Sequence, residues 1–340
     1  MFETMRYNLI IDVSLYNSPI GFVFLLAKMG KIGGIKVAEL VSVIITTYKR
    51  SPDIVLRAVQ SVLSQTYSDL ELIIIDDSPE SFEGREAVKT TLLEIKDTRI
   101  NYIQHLANKG ACAARNSGIN HATGKYIAFL DDDDVWYPHK LETQLNKMSE
   151  VNCGLVYCRS ITINEITNTE KERADKFFRG DVFDELLRTN FIGSTSFPLI
   201  KAKCFAKCGS FDESLESSQD LDMWLRIAKK YKVDYIDEPL VNYYVHKGEA
   251  ISRNPYKKIK GKLAINEKYK DHLNAQPKIL RARLLTMIPF YLMIGEKKKA
   301  FSVYFSAFKI APYEIKINLK ELIRIIFNYK VEKVGKHNAN

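Results

Sequence analysis

Val41-Ser-Val-Ile-Ile-Thr-Thr47 is a run of mostly β-branched residues without a charge, the pattern of a buried strand. Ser51-Pro52-Asp53 follows and reads as a helix start. Ser51 can cap free N–H groups, Pro52 suits the first helical position and Asp53 complements the helix dipole. Ile54, Ala58 and Val62, then Val55, Val59 and Leu63, recur at spacing four and give that helix one apolar face. Further along, strands are expected at 72–76, 100–104, 126–130 and 155–157. Helices are expected at 86–95, at 111–121 and from Pro138, where Leu141, Leu145 and Met148 share a face. Strands alternating with helices predict an α/β fold whose parallel sheet lies between helices. Ligands of such sheets gather outside the carboxyl ends of the strands. Those ends carry Thr46-Thr-Tyr48, Asp76-Asp77 and Asp131-Asp-Asp-Asp134.

The rest of the chain is less regular. Charged stretches fill 160–200, ending in Asn190-Phe-Ile-Gly-Ser-Thr-Ser196. A helix is expected after Gln219-Asp220, with Leu221, Trp224, Leu225 and Ala228 on one face. From about 252 the sequence is helical and basic, with Lys297-Lys-Lys299 between two apolar stretches and a helix pair expected over 285–326. The expected domains are an extension at 1–38, an α/β domain at 39–250 and a basic helical region at 251–340. No internal repeat stands out.

With 340 residues, 46% hydrophobic and 27% charged, the chain can bury a sizeable core. That mixture excludes collagen-like, low-complexity and disulfide-framework classes. The charge of +9 suits either an anionic neighbour or an uneven surface. Five cysteines without a repeating metal spacing read as free thiols of a reducing compartment. No apolar run reaches membrane-spanning length, and the start lacks a basic region followed by one apolar block, so no signal peptide is expected.

Among candidate functional residues the four acids at 131–134 stand out. Adjacent carboxylates repel one another, and both a solvated turn and a bound Mg²⁺ or Mn²⁺ relieve that repulsion. Their place at a strand end favours the cation. Asp76 and Asp77 are candidates for contacts to a base or ribose, or for shaping the turn before Ser78-Pro79. Arg115 can pair with phosphate or stay on the surface. Asp220 can cap its helix or serve as a general base. His246 is a possible metal ligand, although a lone histidine is more often neither ligand nor catalyst.

The order of these segments carries more than any one of them. Val41-Ser-Val-Ile-Ile-Thr-Thr-Tyr48, Ser64-Gln-Thr-Tyr67, Glu71-Leu-Ile-Ile-Ile-Asp-Asp-Ser78 and Asn108-Lys-Gly110 come first. Ala113-Ala-Arg-Asn-Ser-Gly118, Gly124-Lys-Tyr-Ile-Ala-Phe-Leu-Asp-Asp-Asp-Asp134, Gly209-Ser-Phe-Asp-Glu213 and Asp220-Leu-Asp-Met-Trp-Leu-Arg226 follow. Over 41–250 this resembles glycosyltransferase family 2, the inverting nucleotide-sugar transferases. The resemblance implies a GT-A-type, Rossmann-like mixed sheet flanked by helices, here with a C-terminal helical appendage. It implies a nucleotide-binding role for Thr46, Tyr48, Asp76 and Asp77, with Asp77 reading uracil, and a donor-pocket role for Arg115. Asp131, Asp132 and Asp133 then form the Asp-x-Asp region, with Asp133, Asp131 and His246 on a divalent cation, Mn²⁺ or Mg²⁺. Asp220 becomes the catalytic base, and Gly193-Ser194 a small-residue loop near the donor sugar. The glutamate usual before that base is Gln219 here.

The implied partners are a nucleotide-sugar donor, a UDP-sugar by resemblance, and a glycan or lipid-linked glycan acceptor of bacterial surface polysaccharide synthesis. Lys and Arg interleaved with apolar residues in the C-terminal region suit peripheral contact with an anionic membrane or, equally, packing on the core. The expected location is the cytoplasm, at the inner face of the cell membrane. A sugar-phosphate nucleotidyltransferase would want a Gly-rich loop after the first strand, and Thr46-Thr-Tyr-Lys-Arg50 has no glycine. A non-catalytic scaffold would not need both Asp133 and Asp220. No nucleic-acid partner is expected, because no basic-aromatic module is present.

Overall fold

A computed structural model describes residues 39–173, 176–246 and 254–327, and places them around one mixed sheet. The expected extension at 1–38 lies outside the described residues. The strands are β1 (Val41–Thr47), β2 (Leu70–Asp76), β3 (Ile100–Gln104), β4 (Tyr126–Asp131), β5 (Val135–Trp136), β6 (Leu155–Asn164), β7 (Thr169–Glu172), β8 (Leu199–Lys201) and β9 (Val233–Val245). Their order is β3-β2-β1-β4-β8-β6-β9-β5, with β7 on the side of β6. The first four strands are mutually parallel, while β8 runs antiparallel between β4 and β6.

The apolar strands alternate between two cores. Ile44, Ile73, Ile75, Ile127 and Phe129 enter one core. Val43, Ile45, Leu72, Ile74, Ala128 and Leu130 enter the other. A strand covered on both faces needs apolar residues at every position, which is why 41–47 reads as a continuous run rather than an alternation. Helix α1 (Pro52–Leu63) covers the second core with Val55, Ala58, Val59 and Val62, and α2 (Gly84–Glu94) adds Val88 and Leu92. Helix α3 (Ala111–His121) covers the first core, and α4 (Lys140–Glu150) the second. Ser51 occupies the cap position of α1, but its hydroxyl makes no capping bond, contrary to expectation.

The second half departs further from the sequence reading. Strand β6 runs ten residues where three were expected, and β9 was not anticipated. Asp237-Glu-Pro239 interrupts the apolar pattern of β9. The sheet absorbs the interruption as a register shift opposite Cys158, Arg159 and Ser160. Short helices α5 (Phe183–Arg188) and α6 (Lys203–Cys208) precede α7 (Gln219–Ala228). Six helices follow: α8 (Pro255–Lys268), α9 (Lys270–Ala275), α10 (Pro277–Leu285), α11 (Ile288–Met293), α12 (Lys297–Ile310) and α13 (Ile315–Phe327). Lys297-Lys-Lys299 opens α12 instead of linking two helices, and the expected pair is a set of three.

These helices fasten to the sheet domain by specific contacts. Arg283 donates to the Leu187 carbonyl at 2.7 Å. Lys268 pairs with Asp222 at 2.7 Å and Asp212 at 3.0 Å. No helix among the described residues is long and apolar enough to cross a membrane.

Candidate active site

The register aligns the strand ends. Thr46 lies beside Asp131 across β1–β4, Thr47 beside Asp76 across β1–β2, and Asp76 beside Gln104 across β2–β3. Beyond β1 the chain turns sharply. Lys49 takes a left-handed conformation, φ 49°, and its N–H donates to Ser78 Oγ at 2.9 Å. The turn leaves Tyr48 exposed and sends Arg50 toward the acids.

The four carboxylates separate into two kinds. Asp134 is fully buried and the Asp132 side chain is only 6% exposed, whereas the side chains of Asp131 and Asp133 retain 30% and 23%. Asp134 accepts from Ser196 Oγ at 2.6 Å and from the Tyr244 N–H at 3.1 Å, so it ties β4 to β9. Asp132 accepts from Arg50 Nε at 3.0 Å, and Asp133 from Arg50 Nη2 at 2.9 Å. Arg57 donates to the Asp133 carbonyl at 3.1 Å and lies over the Tyr244 ring. Asp131 accepts from Arg115 Nη2 at 2.9 Å, Thr195 Oγ1 at 3.0 Å and Ser194 Oγ at 3.1 Å. Burial and the charges of Asp132 and Asp131 push the Asp133 carboxyl up to about 6, against the opposing pull of Arg50 and His246.

His246 follows β9 and returns to this cluster. Its Nδ1 is 2.7 Å from Glu165 Oε2. Its Nε2 lies 3.9 Å from Asp133 Oδ2, buried and without a hydrogen-bond partner.

Asp220 sits at the start of α7, after Ser218 in a left-handed conformation, φ 62°. Asn190 Nδ2 donates to Asp220 Oδ2 at 2.9 Å, while Asn190 Oδ1 accepts from the Gly193 N–H at 2.9 Å. Gly193 has φ 91°, and a Cβ there would meet Arg173 Nη1 at 2.1 Å, so the loop requires glycine. Burial raises the Asp220 carboxyl above the usual range; the Leu221 backbone N–H, the Lys258 and Arg115 charges and Asn190 oppose it. Two routes therefore join residues far apart in sequence. Arg115 bridges Asp131 to Gln219 Oε1 at 3.4 Å, and the Asn190–Gly193–Ser194 loop bridges Asp220 to Asp131.

Asp76 and Asp77 are both engaged inside the chain. Asp76 accepts from the Ser78 N–H at 2.9 Å and Tyr102 Oη at 2.7 Å. Asp77 takes the N–H groups of Lys109 and Gly110, each at 2.8 Å, and lies 2.7 Å from His105 Nδ1. Both are buried, and their carboxylates brace the turns that follow β2 and β3. Arg50, Arg57, Asn190, Thr195 and Glu165 were not singled out from sequence. Only the adjacent pair Lys49-Arg50, just beyond an uncharged strand, hinted at a counter-cation for 131–134.

The sequence profile of Glycosyl transferase family 2 matches residues 42–209. Escherichia coli K12 WcaA, described as a putative colanic acid biosynthesis glycosyl transferase, is 31% identical over 242 residues, covering 70% of this chain and 84% of WcaA. The chain belongs to glycosyltransferase family 2. This family member is also similar to the E. coli UDP-Glc:alpha-D-GlcNAc-diphosphoundecaprenol beta-1,3-glucosyltransferase WfgD, at 28% identity over 77% of this chain and 96% of WfgD. An uncharacterized glycosyltransferase of Rickettsia felis is 35% identical over 64% of this chain, and the chain spans only 35% of that protein's length. Among solved structures, Staphylococcus aureus TarS residues 1–349 in complex with UDP-GlcNAc superposes with a TM-score of 0.59 at 14% identity, over 85% of this chain and 89% of TarS 1–349. That likeness establishes the GT-A-type fold.

Proposed function

We propose that the chain is an inverting glycosyltransferase that moves a sugar from a UDP-sugar to a hydroxyl of a lipid-linked glycan during bacterial surface polysaccharide synthesis. The observation that carries this reading is the double bridge between Asp131 and the Gln219–Asp220 helix start. It joins a family-type acidic strand end and a half-buried carboxylate through one hydrogen-bonded network. The names of WfgD and of the TarS complex support UDP as the nucleotide, and WfgD supports the lipid-linked acceptor. Such an acceptor brings the enzyme to the inner face of the membrane.

Asp220 takes the proton from the acceptor hydroxyl as its oxygen attacks the anomeric carbon. The bond from that carbon to the diphosphate breaks on the opposite side, so configuration inverts and no covalent enzyme intermediate forms. Asn190 holds the Asp220 carboxylate in place, and the Arg115 guanidinium next to Asp131 faces the same strand ends as the departing diphosphate.

The residues present fit a divalent cation. The unpartnered His246 Nε2 and the Asp133 carboxylate, crowded by like charges, supply one nitrogen and one hard oxygen. Glu165, 2.7 Å from Nδ1, fixes the orientation of that imidazole. When bound, such an ion stabilises the charge that builds on the leaving diphosphate.

A donor panel tests this reading. UDP- and GDP-sugars are compared for nucleotide release with Mn²⁺, with Mg²⁺ and with chelator. Release from a UDP-sugar that chelator stops is expected. Release from no nucleotide sugar, or equal turnover by Asp220→Asn, defeats the proposal.

A further inference from the structure

Helix α13 has its amphipathic character turned outward. Asn318, Glu321 and Ile325 face inward. Asn318 is held by Arg281 at 2.9 Å and by the Ala311 carbonyl at 2.9 Å, and Glu321 is paired with Arg324 at 2.8 Å. Meanwhile Ile315, Leu319, Ile323 and Phe327, at steps of four, are 71%, 54%, 38% and 69% exposed. A helix that only closes a core buries its apolar row and wets its polar one. This helix packs Ile325 and Leu322 on the core but leaves a second apolar row in solvent.

Beside the apolar row runs a second row at the same spacing, Lys316, Lys320 and Arg324. The two rows share a shallow groove lined by Lys316, Leu319, Lys320, Ile323 and Arg324. Residues 297–327 hold seven Lys or Arg against two acids. Both acids are already engaged, Glu314 with Arg281 at 2.7 Å and Glu321 with Arg324. The face therefore offers unneutralised positive charge interleaved with exposed hydrocarbon.

We infer that this face of α13 docks the protein on an anionic lipid surface, with Leu319, Ile323 and Phe327 entering the acyl boundary and Lys316 and Lys320 meeting headgroup phosphates. Long lysine stems suit that depth, since the ammonium group can reach up to the headgroups while the methylenes stay in the apolar layer. A second copy of the chain fits poorly, because a two-fold contact through this face would set Lys316 and Lys320 against their own counterparts. The inference deepens the lipid-linked reading by naming the surface that brings the cleft to its acceptor, but it stands on a helix outside the cleft.

The test is flotation of the full chain with vesicles of phosphatidylcholine, with and without phosphatidylglycerol, at low and high salt. Nucleotide release from the donor without acceptor is measured in parallel. Wild type should float only with the anionic vesicles at low salt. Leu319→Ser with Ile323→Ser, and separately Lys316→Glu with Lys320→Glu, should each lower binding about tenfold or more, with melting temperature and donor hydrolysis unchanged. Equal flotation of the variants and wild type overturns the docking face. So does absence of wild-type flotation, or a wild-type dimer that the serine variant converts to monomer. Vesicle binding without nucleotide release leaves the docking face standing and removes the transferase reading; release without vesicle binding does the converse.

Discussion

Asn190→Ala separates the proposed base from its setting. Asn190 donates one hydrogen bond, 2.9 Å, to Asp220 Oδ2. A bond to an ionised group contributes about 1.5–3 kcal/mol to the ionised form, and about 1.4 kcal/mol corresponds to a tenfold change in the protonation equilibrium. Asp220 is only partly closed from water, so the lower end applies. Burial already raises the Asp220 carboxyl, and the base must be ionised to work. Activity therefore rises with pH through its titration, and loss of the Asn190 N–H moves that rise to higher pH. On the acid side kcat/KM should fall about tenfold, and at alkaline pH the variant should approach a plateau. Any shortfall of that plateau from wild type should be a pH-independent factor, because Asn190 also holds the Gly193 loop. The assay is kcat/KM for nucleotide release with acceptor, measured across pH. A uniform loss with an unmoved acid limb would show that Asp220 is not the titrating base.

Other perturbations follow from the same geometry. Asp133→Ala should lower transfer by ~10² or more while leaving the melting temperature within a few degrees; undiminished turnover in the presence of Mn²⁺ contradicts its place on the cation. Arg50→Met strips Asp132 of its cation and should destabilise the fold by about 1–3 kcal/mol in urea titrations, less than a fully buried pair because Arg50 is partly solvated. An unchanged midpoint would mean that the acids are neutralised in some other way. Gly261→Ala would put a Cβ 2.6 Å from the Ser217 carbonyl oxygen, just before α7. A cost of about 1–3 kcal/mol and a lower kcat are expected, since α8 must shift against the turn that carries Asp220; a variant with wild-type kcat would show that this contact does not position the base.

The helix and strand succession of the first half is legible because it is local. A β-branched run between polar ends makes a strand whatever it pairs with, and apolar residues at spacing four make a helix face wherever the core lies. Strand β1 and helix α1 match their expected limits for that reason. Strand β9 hides because its middle, Asp237-Glu-Pro239, carries breakers that only the shifted register against β6 accommodates. The acids 131–134 are legible as a cluster, but not their division of labour. Strand alternation and the approach of Ser196 and Tyr244 from residues 62 and 110 positions away decide which carboxylates are sealed.

By itself the sequence determined the α/β order, the polar strand ends and the family likeness, since these depend on residue type and short spacing. The tertiary structure alone decided that Arg50 answers Asp132 and Asp133, that Asp77 is consumed by His105 and two backbone N–H groups, and that Asn190 reaches Asp220. It also decided that α13 leaves a second apolar row exposed. The physical reason is common to all four. A hydrogen bond or a buried face depends on distance in space, and chain closure brings together groups whose separation in sequence carries no signal of their meeting.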